Sequence, residues 1–166
     1  MNESNESSPL SFAASFDWRW KPFAGLDAKE VYDLLGARSA VFVVEQHCVY
    51  GDVDGLDIDA WHLLAYAADG GREMLAGYLR VLLPGVEDQD VRIGRVLTTS
   101  DFRGIRLGNA LLETALAHIA RQWPGVPVRL HAQAHLQRFY GAFGFVPVSD
   151  IHDEDGIAHV WMRRAG

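Results

Sequence analysis

The stretch VLTTSDFRGIRLGNALL, residues 96–112, changes halfway from the pattern of a strand to that of a helix. Residues 91–99 read as a strand, and the apolar positions of residues 107–119 follow the 3.6-residue repeat of a helix. Two glycines and two arginines lie in the turn between them: Arg103, Gly104, Arg106 and Gly108. Because the first turn of a helix presents free N–H groups and the positive end of its dipole, this turn is a candidate diphosphate site. A tight turn with solvated arginines is the alternative interpretation.

This turn lacks two common phosphate-binding fingerprints. A dinucleotide site needs Gly-x-Gly-x-x-Gly in a βαβ unit, with an acidic residue about 20 positions further on. A P-loop needs Gly-Lys followed by Ser or Thr. Residues 103–108 match neither pattern, so an anion site here is of another kind.

Outward from this segment, hydrophobic periodicity predicts a mixed α/β chain with the element order β, α, β, β, β, α, β, α, β, β. Asp27, followed three residues later by Glu30, predicts a capping box at the start of the first helix. The last two strands are expected to bracket an acidic loop over residues 150–156. We expect a flexible tail over residues 1–14 and a single domain over residues 15–166.

The composition is that of a globular chain of 166 residues, 49% hydrophobic, with a formal net charge of −7. A disordered protein would contain fewer apolar residues, and a nucleic-acid-binding protein would present a basic surface. No apolar run approaches the roughly 20 residues that cross a bilayer, and the N-terminal residues do not resemble a secretory signal. Together with the single cysteine, Cys48, these features predict a cytoplasmic protein without membrane or nucleic-acid partners.

Residues 103–108 resemble the acyl-CoA diphosphate loop of the GNAT (Gcn5-related) N-acetyltransferases, Gln/Arg-x-x-Gly-x-Gly/Ala, with Arg106 in place of the middle glycine. Residues 136–145, LQRFYGAFGF, resemble the second signature of that family, and the predicted element order is the family's order. Three further segments resemble its ElaA-like branch: residues 40–46, 131–137 and 154–159. The resemblance covers nearly all of the chain after the tail.

The resemblance implies a GNAT-like fold, in which the middle strands of a twisted, mostly antiparallel sheet splay apart between flanking helices. In the family, the pantetheine arm of acetyl-CoA enters that gap like an added strand, and no metal is required. A backbone N–H near Leu97 would then polarise the thioester carbonyl. The implied cofactor-binding residues are Val96, Leu97, Thr98, Arg103, Gly104, Ile105, Arg106, Leu107, Gly108, Asn109, Phe139 and Tyr140.

The implied reaction is direct transfer of an acetyl group to a primary amine in a ternary complex, with coenzyme A leaving as the thiol. Tyr140 matches the tyrosine that protonates the thiolate in the family. Many relatives carry a glutamate on the strand before the loop, but residues 91–99 contain no carboxylate. The general base therefore stays open among His131, Glu45 and His62, each of which has a structural hydrogen-bonding role as its alternative.

The acceptor is expected to be a small-molecule or peptide amine. A cationic acceptor is favoured because two acidic stretches, residues 52–59 and 150–155, would form a negative rim. Solvated loops without a ligand are the alternative interpretation of both stretches. The oligomeric state stays open between monomer and homodimer.

No metal site is expected from the sequence. His131 and His135 have the spacing of zinc ligands on a helix, but His131 belongs to a predicted strand and His135 to the turn after it, so they should diverge. Two other functions stay open. The missing strand glutamate suggests a non-catalytic acyl-CoA-binding sensor, and Arg106 suggests an interaction protein that has lost the cofactor site.

Overall fold

A sheet of eight strands runs through the protein, whose computed structural model describes residues 16–166. The strands are β1 (Asp17–Pro22), β2 (Ala60–Asp69), β3 (Arg72–Leu82), β4 (Val91–Thr98), β5 (Val128–Gln133), β6 (Val146–Pro147), β7 (His152–Glu154) and β8 (Ile157–Arg164). Their order is β1-β2-β3-β4-β5-β8-β6, with β7 also paired to β8. All pairs are antiparallel except β4 with β5, which confirms the predicted fold class.

Three α-helices flank this sheet: α1 (Ala28–Arg38), α2 (Leu107–Gln122) and α3 (Gln137–Gly141). The predicted capping box at the start of α1 is present, since the Asp27 side chain accepts from the Glu30 N–H and the Glu30 side chain accepts from the Asp27 N–H. A π-helix, Ser39–Glu45, continues α1 without a break. The long helix α2 begins at Leu107, directly after the glycine-containing turn.

The two faces of the sheet are covered by different helices. On one face, α2 packs Leu111 and Ile119 against strand residues such as Leu79 in the larger apolar core. It lies so close that a Cβ on Gly77 would come within 2.9 Å of Leu111 Cδ1. On the other face, α1 and the π-helix cover only β2, β3 and the end of β4, in a smaller core built around Leu34. Residues of β5 and β8, which this smaller core does not include, line a cavity.

Two sequence predictions differ from the structure. The acidic loop predicted over residues 150–156 is a hairpin, in which β7 pairs with β8 through a turn at Asp155 and Gly156, both with positive φ. The loop over residues 50–59 ends in a 3-10 helix, Asp57–Asp59, and is not wholly solvated, because Asp52 and Asp57 are buried. The predicted tail, residues 1–14, lies outside the described residues. None of the helices in residues 16–166 has the length and apolarity of a membrane span.

Candidate active site

The middle of the sheet opens where β4 leaves β5. The two strands pair in parallel only from Val91–Val128 to Ile93–Leu130, although β4 continues to Thr98 and β5 to Gln133. On its other side, β4 stays paired with β3 as far as Thr98. Within the described residues, the β5-facing edge of residues 94–98 therefore has no paired strand, as predicted for this pair.

An irregularity in β4 accompanies this opening. The register against β3 shifts between Tyr78 and Arg80, opposite Arg95 on β4. Arg95 has φ 53°, a left-handed conformation that a side chain seldom adopts in a strand. The shift bends β4 at the point where it parts from β5, and the Arg95 guanidinium is held by the Asp52 carboxylate at 2.8 Å.

A cavity of about 450 Å³ fills the gap between the diverging strands. It is large enough for the thiol end of an acyl-CoA together with a small acceptor, since ligand pockets measure about 300–1,000 Å³. Val96 lines it from β4, His131 from β5 and Tyr140 from α3. The buried Cys48 also lines the cavity, and its thiol is within 3.6 Å of the Gln46 carbonyl.

The turn before α2 has the geometry expected of a diphosphate site. Arg106 is the N-cap of α2 in a left-handed conformation, with φ 62° and ψ 23°, and its side chain caps no N–H. No acidic residue lies in the first turn of α2 to repel an anion. Gly104, also at positive φ (76°), precedes it, and a Cβ on Gly108 would come within 3.5 Å of the Phe139 ring. Arg106 thus adopts the backbone conformation that glycine accommodates most easily, which explains how the chain tolerates this departure from the motif.

Arg103 and Glu45 form a bidentate ion pair beside this turn, with N–O distances of 2.8 and 3.0 Å. Arg103 also donates to the Thr98 carbonyl at the end of β4. Both side chains are more than two-fifths exposed. Glu45, one of the candidate bases, is therefore engaged at the surface and does not line the cavity.

Tyr140, on α3, lines the cavity. Its ring packs edge-on against Phe139 and Phe145, with centroids 5.0 and 6.2 Å away, and it is only 6% exposed. Burial raises the pKa of the phenol to about 12. The hydroxyl is therefore protonated near neutral pH and available to donate.

His131 lies among aromatic and histidine side chains that we call the histidine wall: His131, His152, His159 and Trp161. Its ring stacks on Trp161 at 4.4 Å, and its Nε2 is 2.7 Å from His152 Nε2. Burial, followed by the nearby His159, His152 and Arg92, lowers the pKa of His131 to about 4. The ring is therefore neutral near pH 7.

The tautomers in this wall follow from backbone acceptors. His152 Nδ1 donates to the Asp150 carbonyl at 3.1 Å, which leaves its Nε2 with a lone pair when the ring is neutral. His159 Nδ1 likewise donates to the Ile157 carbonyl at 2.8 Å. His131 Nε2 then donates to His152 Nε2, so the lone pair of His131 is on Nδ1.

His62, the remaining candidate base, has a structural role. It is fully buried in β2, with Nδ1 2.7 Å from the Tyr78 hydroxyl and Nε2 2.9 Å from the Asp57 carbonyl oxygen. Burial lowers the pKa of its imidazole. It does not line the cavity.

A network of ion pairs contributes three residues to the lining of the cavity, Asp54, Arg80 and Arg95. We call the whole network the arginine–aspartate wall: Arg38, Arg80, Arg95, Asp52, Asp54 and Asp57. Arg38 is completely buried and pairs with Asp52 at 2.7 Å and Asp57 at 2.6 Å. Burial opposes the charge on Asp54, but hydrogen bonds from Arg80 prevail and lower its pKa to about 2. These carboxylates are neutralised by arginines and do not form a free acidic rim.

Sequence reasoning missed the approach of His152 and Glu154 to His131. The signal was present, because Asp155-Gly156 is a typical hairpin turn and His152 and Glu154 alternate before it. Of the residues predicted for the cofactor, Val96 and Tyr140 line the cavity, whereas those from Arg103 to Asn109 form the turn before α2 and the start of that helix. His135 lies in a 3-10 helix after β5 and is not grouped with His131.

Comparison with known proteins accords with this geometry. The family described as "Acetyltransferase (GNAT) domain" matches residues 44–165. Protein ElaA of Escherichia coli (strain K12) is 41% identical over 150 residues, which cover 89% of this chain and 95% of ElaA. The crystal structure of Escherichia coli ElaA has a TM-score of 0.81 at 40% identity, covering 90% of this chain and 99% of that one.

Two further solved structures share the fold. A crystal structure of an acyl-CoA N-acyltransferase from Pseudomonas aeruginosa is 49% identical, has a TM-score of 0.85, and covers 91% of this chain and 100% of that one. An aminoglycoside 6'-N-acetyltransferase complexed with coenzyme A is 14% identical, with a TM-score of 0.63 over 89% of this chain and 96% of that one. The second likeness concerns the fold alone. By the family match and the ElaA similarity, the chain belongs to the GNAT acyltransferase family, in its ElaA-like branch.

Proposed function

We propose that this protein transfers an acetyl group from acetyl-CoA to a primary amine, directly and within a ternary complex. The observation that carries the proposal is the parting of β4 from β5 after the Ile93–Leu130 pair, which opens onto a cavity of about 450 Å³. An unpaired strand edge beside a cavity suits the amide groups of pantetheine, which bind as an added strand does. The Pseudomonas aeruginosa acyl-CoA N-acyltransferase, 49% identical, supports the same class of reaction.

In this proposal, acetyl-CoA lies across the turn before α2. The backbone of Val96, Leu97 and Thr98 binds pantetheine, and the N–H groups of residues 103–109 bind the diphosphate. The positive end of the α2 dipole supports the second contact, since no side chain caps that end of the helix. Arg103 supplies full charge there, although it must share its guanidinium with Glu45. Phe139 packs beneath Gly108 and keeps the turn close to α3.

Bond making and breaking require a proton acceptor and a proton donor. The amine nitrogen attacks the thioester carbonyl carbon, a backbone N–H near Leu97 stabilises the oxyanion, and the carbon–sulfur bond then breaks. Tyr140 donates its proton to the departing thiolate, a role that its buried, protonated hydroxyl supports. Of the three candidate bases only His131 lines the cavity. We therefore propose that His131 Nδ1 is the general base and accepts the proton that the amine loses.

A cationic acceptor has weaker support than the sequence indicated. Asp54 lines the cavity but is already paired with Arg80, at 2.8 Å. The carboxylates that remain for an incoming amine are those of Glu154 and Asp155, which line the cavity at the β7–β8 turn. We therefore propose a small or peptide amine that enters past this turn.

Calorimetry and a thiol-release assay test the proposal. Acetyl-CoA is expected to bind with a 1:1 stoichiometry, and a panel of primary amines should include at least one that releases thiol above background. A complete lack of binding at millimolar acetyl-CoA would contradict the whole proposal. Binding without turnover across a broad amine panel would instead favour the acyl-CoA sensor, which the missing carboxylate on β4 suggests.

A further inference from the structure

A cluster of metal-ligating side chains lies at the edge of the cavity, where β5 meets the β7–β8 hairpin. A ring nitrogen of His131, a ring nitrogen of His152 and a carboxylate oxygen of Glu154 all lie within 4.8 Å of one another, and the two Nε2 atoms are in direct contact. His131 comes from β5, whereas His152 and Glu154 come from β7 and lie two residues apart on one side of that strand. The donors thus converge from two separate strands.

The two imidazole nitrogens are close to the separation that a bound metal requires. Zn²⁺ binds imidazole nitrogen at about 2.0–2.1 Å, so two such nitrogens on a tetrahedral ion lie about 3.3 Å apart. The two Nε2 atoms are 2.7 Å apart. Moving the two Nε2 atoms apart by about half an ångström would therefore bring them to the separation that the ion requires. His152 belongs to a three-residue strand that pairs only with β8, where such a movement meets little resistance.

Hydrogen bonds already hold His152 in the form that a metal needs. Its Nδ1 donates to the Asp150 carbonyl, so its Nε2 lone pair points toward His131. Metal-binding histidines generally donate their second nitrogen to a backbone carbonyl or carboxylate in this way. Trp161, stacked on His131 at 4.4 Å, restricts the orientation of the other imidazole.

We propose that His131, His152 and Glu154 form a binding site for a divalent transition ion, and for Zn²⁺ in particular. Two imidazoles and one carboxylate are a donor set that Zn²⁺ uses in sites with an open fourth position, and imidazole disfavours Ca²⁺ and Mg²⁺. Both His131 and Glu154 line the cavity. The sequence predicted no metal site because His131 and His135, which have zinc-ligand spacing, should diverge; the hairpin instead brings His152 to His131.

The site also has a consequence for the proposed reaction. A metal on His131 Nε2 forces the ring proton onto Nδ1. Nδ1 then has no lone pair and cannot accept the proton of the amine. Zn²⁺ and acyl transfer are then mutually exclusive at His131, so the ion inhibits the enzyme. This consequence rests on the proposed function, whereas the binding of the ion does not.

Titration of the full chain, without an affinity tag and at pH 7.5, tests the site in the absence of acetyl-CoA and amine. Zn²⁺ is expected to bind 1:1 with a Kd of about 10 µM or tighter, and Mg²⁺ should not compete. Co²⁺ should give the visible absorption of a tetrahedral complex that Zn²⁺ removes. His152→Ala should weaken Zn²⁺ binding by at least about 100-fold, since even outer-shell partners contribute about 10- to 100-fold.

Two more variants keep the test decisive if His152→Ala folds poorly. Glu154→Gln changes an exposed side chain and is expected to weaken Zn²⁺ binding about 10-fold. His135→Ala removes an exposed histidine of the same region and should bind as the wild type does. The proposal is overturned if the wild type shows no saturable Zn²⁺ binding up to 100 µM. That result is expected if the two imidazoles only form a hydrogen bond with each other. Equal affinities for wild type and Glu154→Gln would overturn it as well.

Discussion

The arginine–aspartate wall and the histidine wall both contribute residues to the lining of the cavity, and they differ in how their polar groups are partnered. On the first, a completely buried arginine pairs with two aspartates, and Arg80 and Arg95 hold the same carboxylates from β3 and β4. On the second, imidazoles contact one another and an indole ring, and His131 has no carboxylate hydrogen-bonded to it among the described residues. The first wall is neutralised internally, whereas the second presents nitrogen lone pairs.

This difference separates the parts of the site that maintain its shape from those that can react. Buried ion pairs maintain the fold around the cavity, since removing either partner leaves an uncompensated buried charge and destabilises the protein. Neutral imidazoles and a buried phenol can exchange protons or bind a metal without that cost. Substitutions on the two sides should therefore affect different measurements, with stability changing on one and turnover on the other.

The largest expected effect is on the arginine–aspartate wall. Arg38→Met leaves the carboxylates of Asp52 and Asp57 buried without their main cation, and should lower the free energy of unfolding by about 3–5 kcal/mol. Urea denaturation followed by circular dichroism measures this loss. Arg103→Met, at an exposed ion pair, is the matched control and should cost less than about 1 kcal/mol. Similar losses in both variants would remove the contrast between buried and exposed arginines.

The next effect concerns Tyr140, which lines the same cavity as His131. Tyr140→Phe removes the proposed proton donor but keeps the packed ring, so kcat should fall about 100-fold or more while the stability changes by less than about 1 kcal/mol. Steady-state kinetics with the acceptor found in the amine panel, together with thermal denaturation, provide both numbers. An unchanged kcat would remove Tyr140 from the chemistry.

Acid should weaken the arginine–aspartate wall gradually. The pKa of Asp54 is about 2 in the folded protein against an ordinary value of 3.8, so its contribution to stability is present above pH 4 and is lost as the pH falls toward 2. Because Asp54 is partly exposed, that contribution is about 1 kcal/mol. Unfolding of wild type and Asp54→Asn at several pH values tests this: the gap between them should close at low pH. A constant gap would mean that the carboxylate charge is not what stabilises the wall.

The smallest effect is expected at the exposed ion pair of Glu45 and Arg103. Glu45→Gln breaks an exposed ion pair with Arg103, which is worth about 0.2–1 kcal/mol, and should leave kcat within about a factor of two because Glu45 does not line the cavity. Kinetics with saturating acetyl-CoA measure the change. A 100-fold loss of kcat would instead make Glu45 the general base and would remove that role from His131.

Local patterns predicted much of this molecule, because their signals are contained in a few neighbouring residues. The capping box of Asp27 and Glu30, the helical repeat of residues 107–119 and the parting of β4 from β5 all follow from such patterns or from the family resemblance. The burial of Asp52 was not predictable in this way. It depends on Arg38 and Arg95, which lie 14 and 43 residues away along the chain.

The strand β7, which carries His152 of the histidine wall, was also not predictable from local sequence patterns. Its three residues are mostly charged or polar, so neither hydrophobicity nor length distinguished it from a loop. Only its pairing with β8 brings His152 close to His131, which lies 21 residues earlier. The turn at Asp155-Gly156 was the one local signal of that pairing.

The short parallel contact between β4 and β5 also divides the sheet into two halves. Strands β1 to β4 form one continuous antiparallel ribbon and β5 to β8 another, and within residues 16–166 strand pairing joins them only from Val91–Val128 to Ile93–Leu130. Val91, Ile93, Val128 and Leu130 are buried in the core, so their amides should exchange slowly, whereas the N–H groups of residues 94–98 that face the gap should exchange faster. A molecule hydrogen-bonded to β4 and β5 on both sides of the gap would join the two ribbons. It would slow exchange at residues 94–98 and 131–133 together, and the two ribbons would then unfold as one cooperative unit.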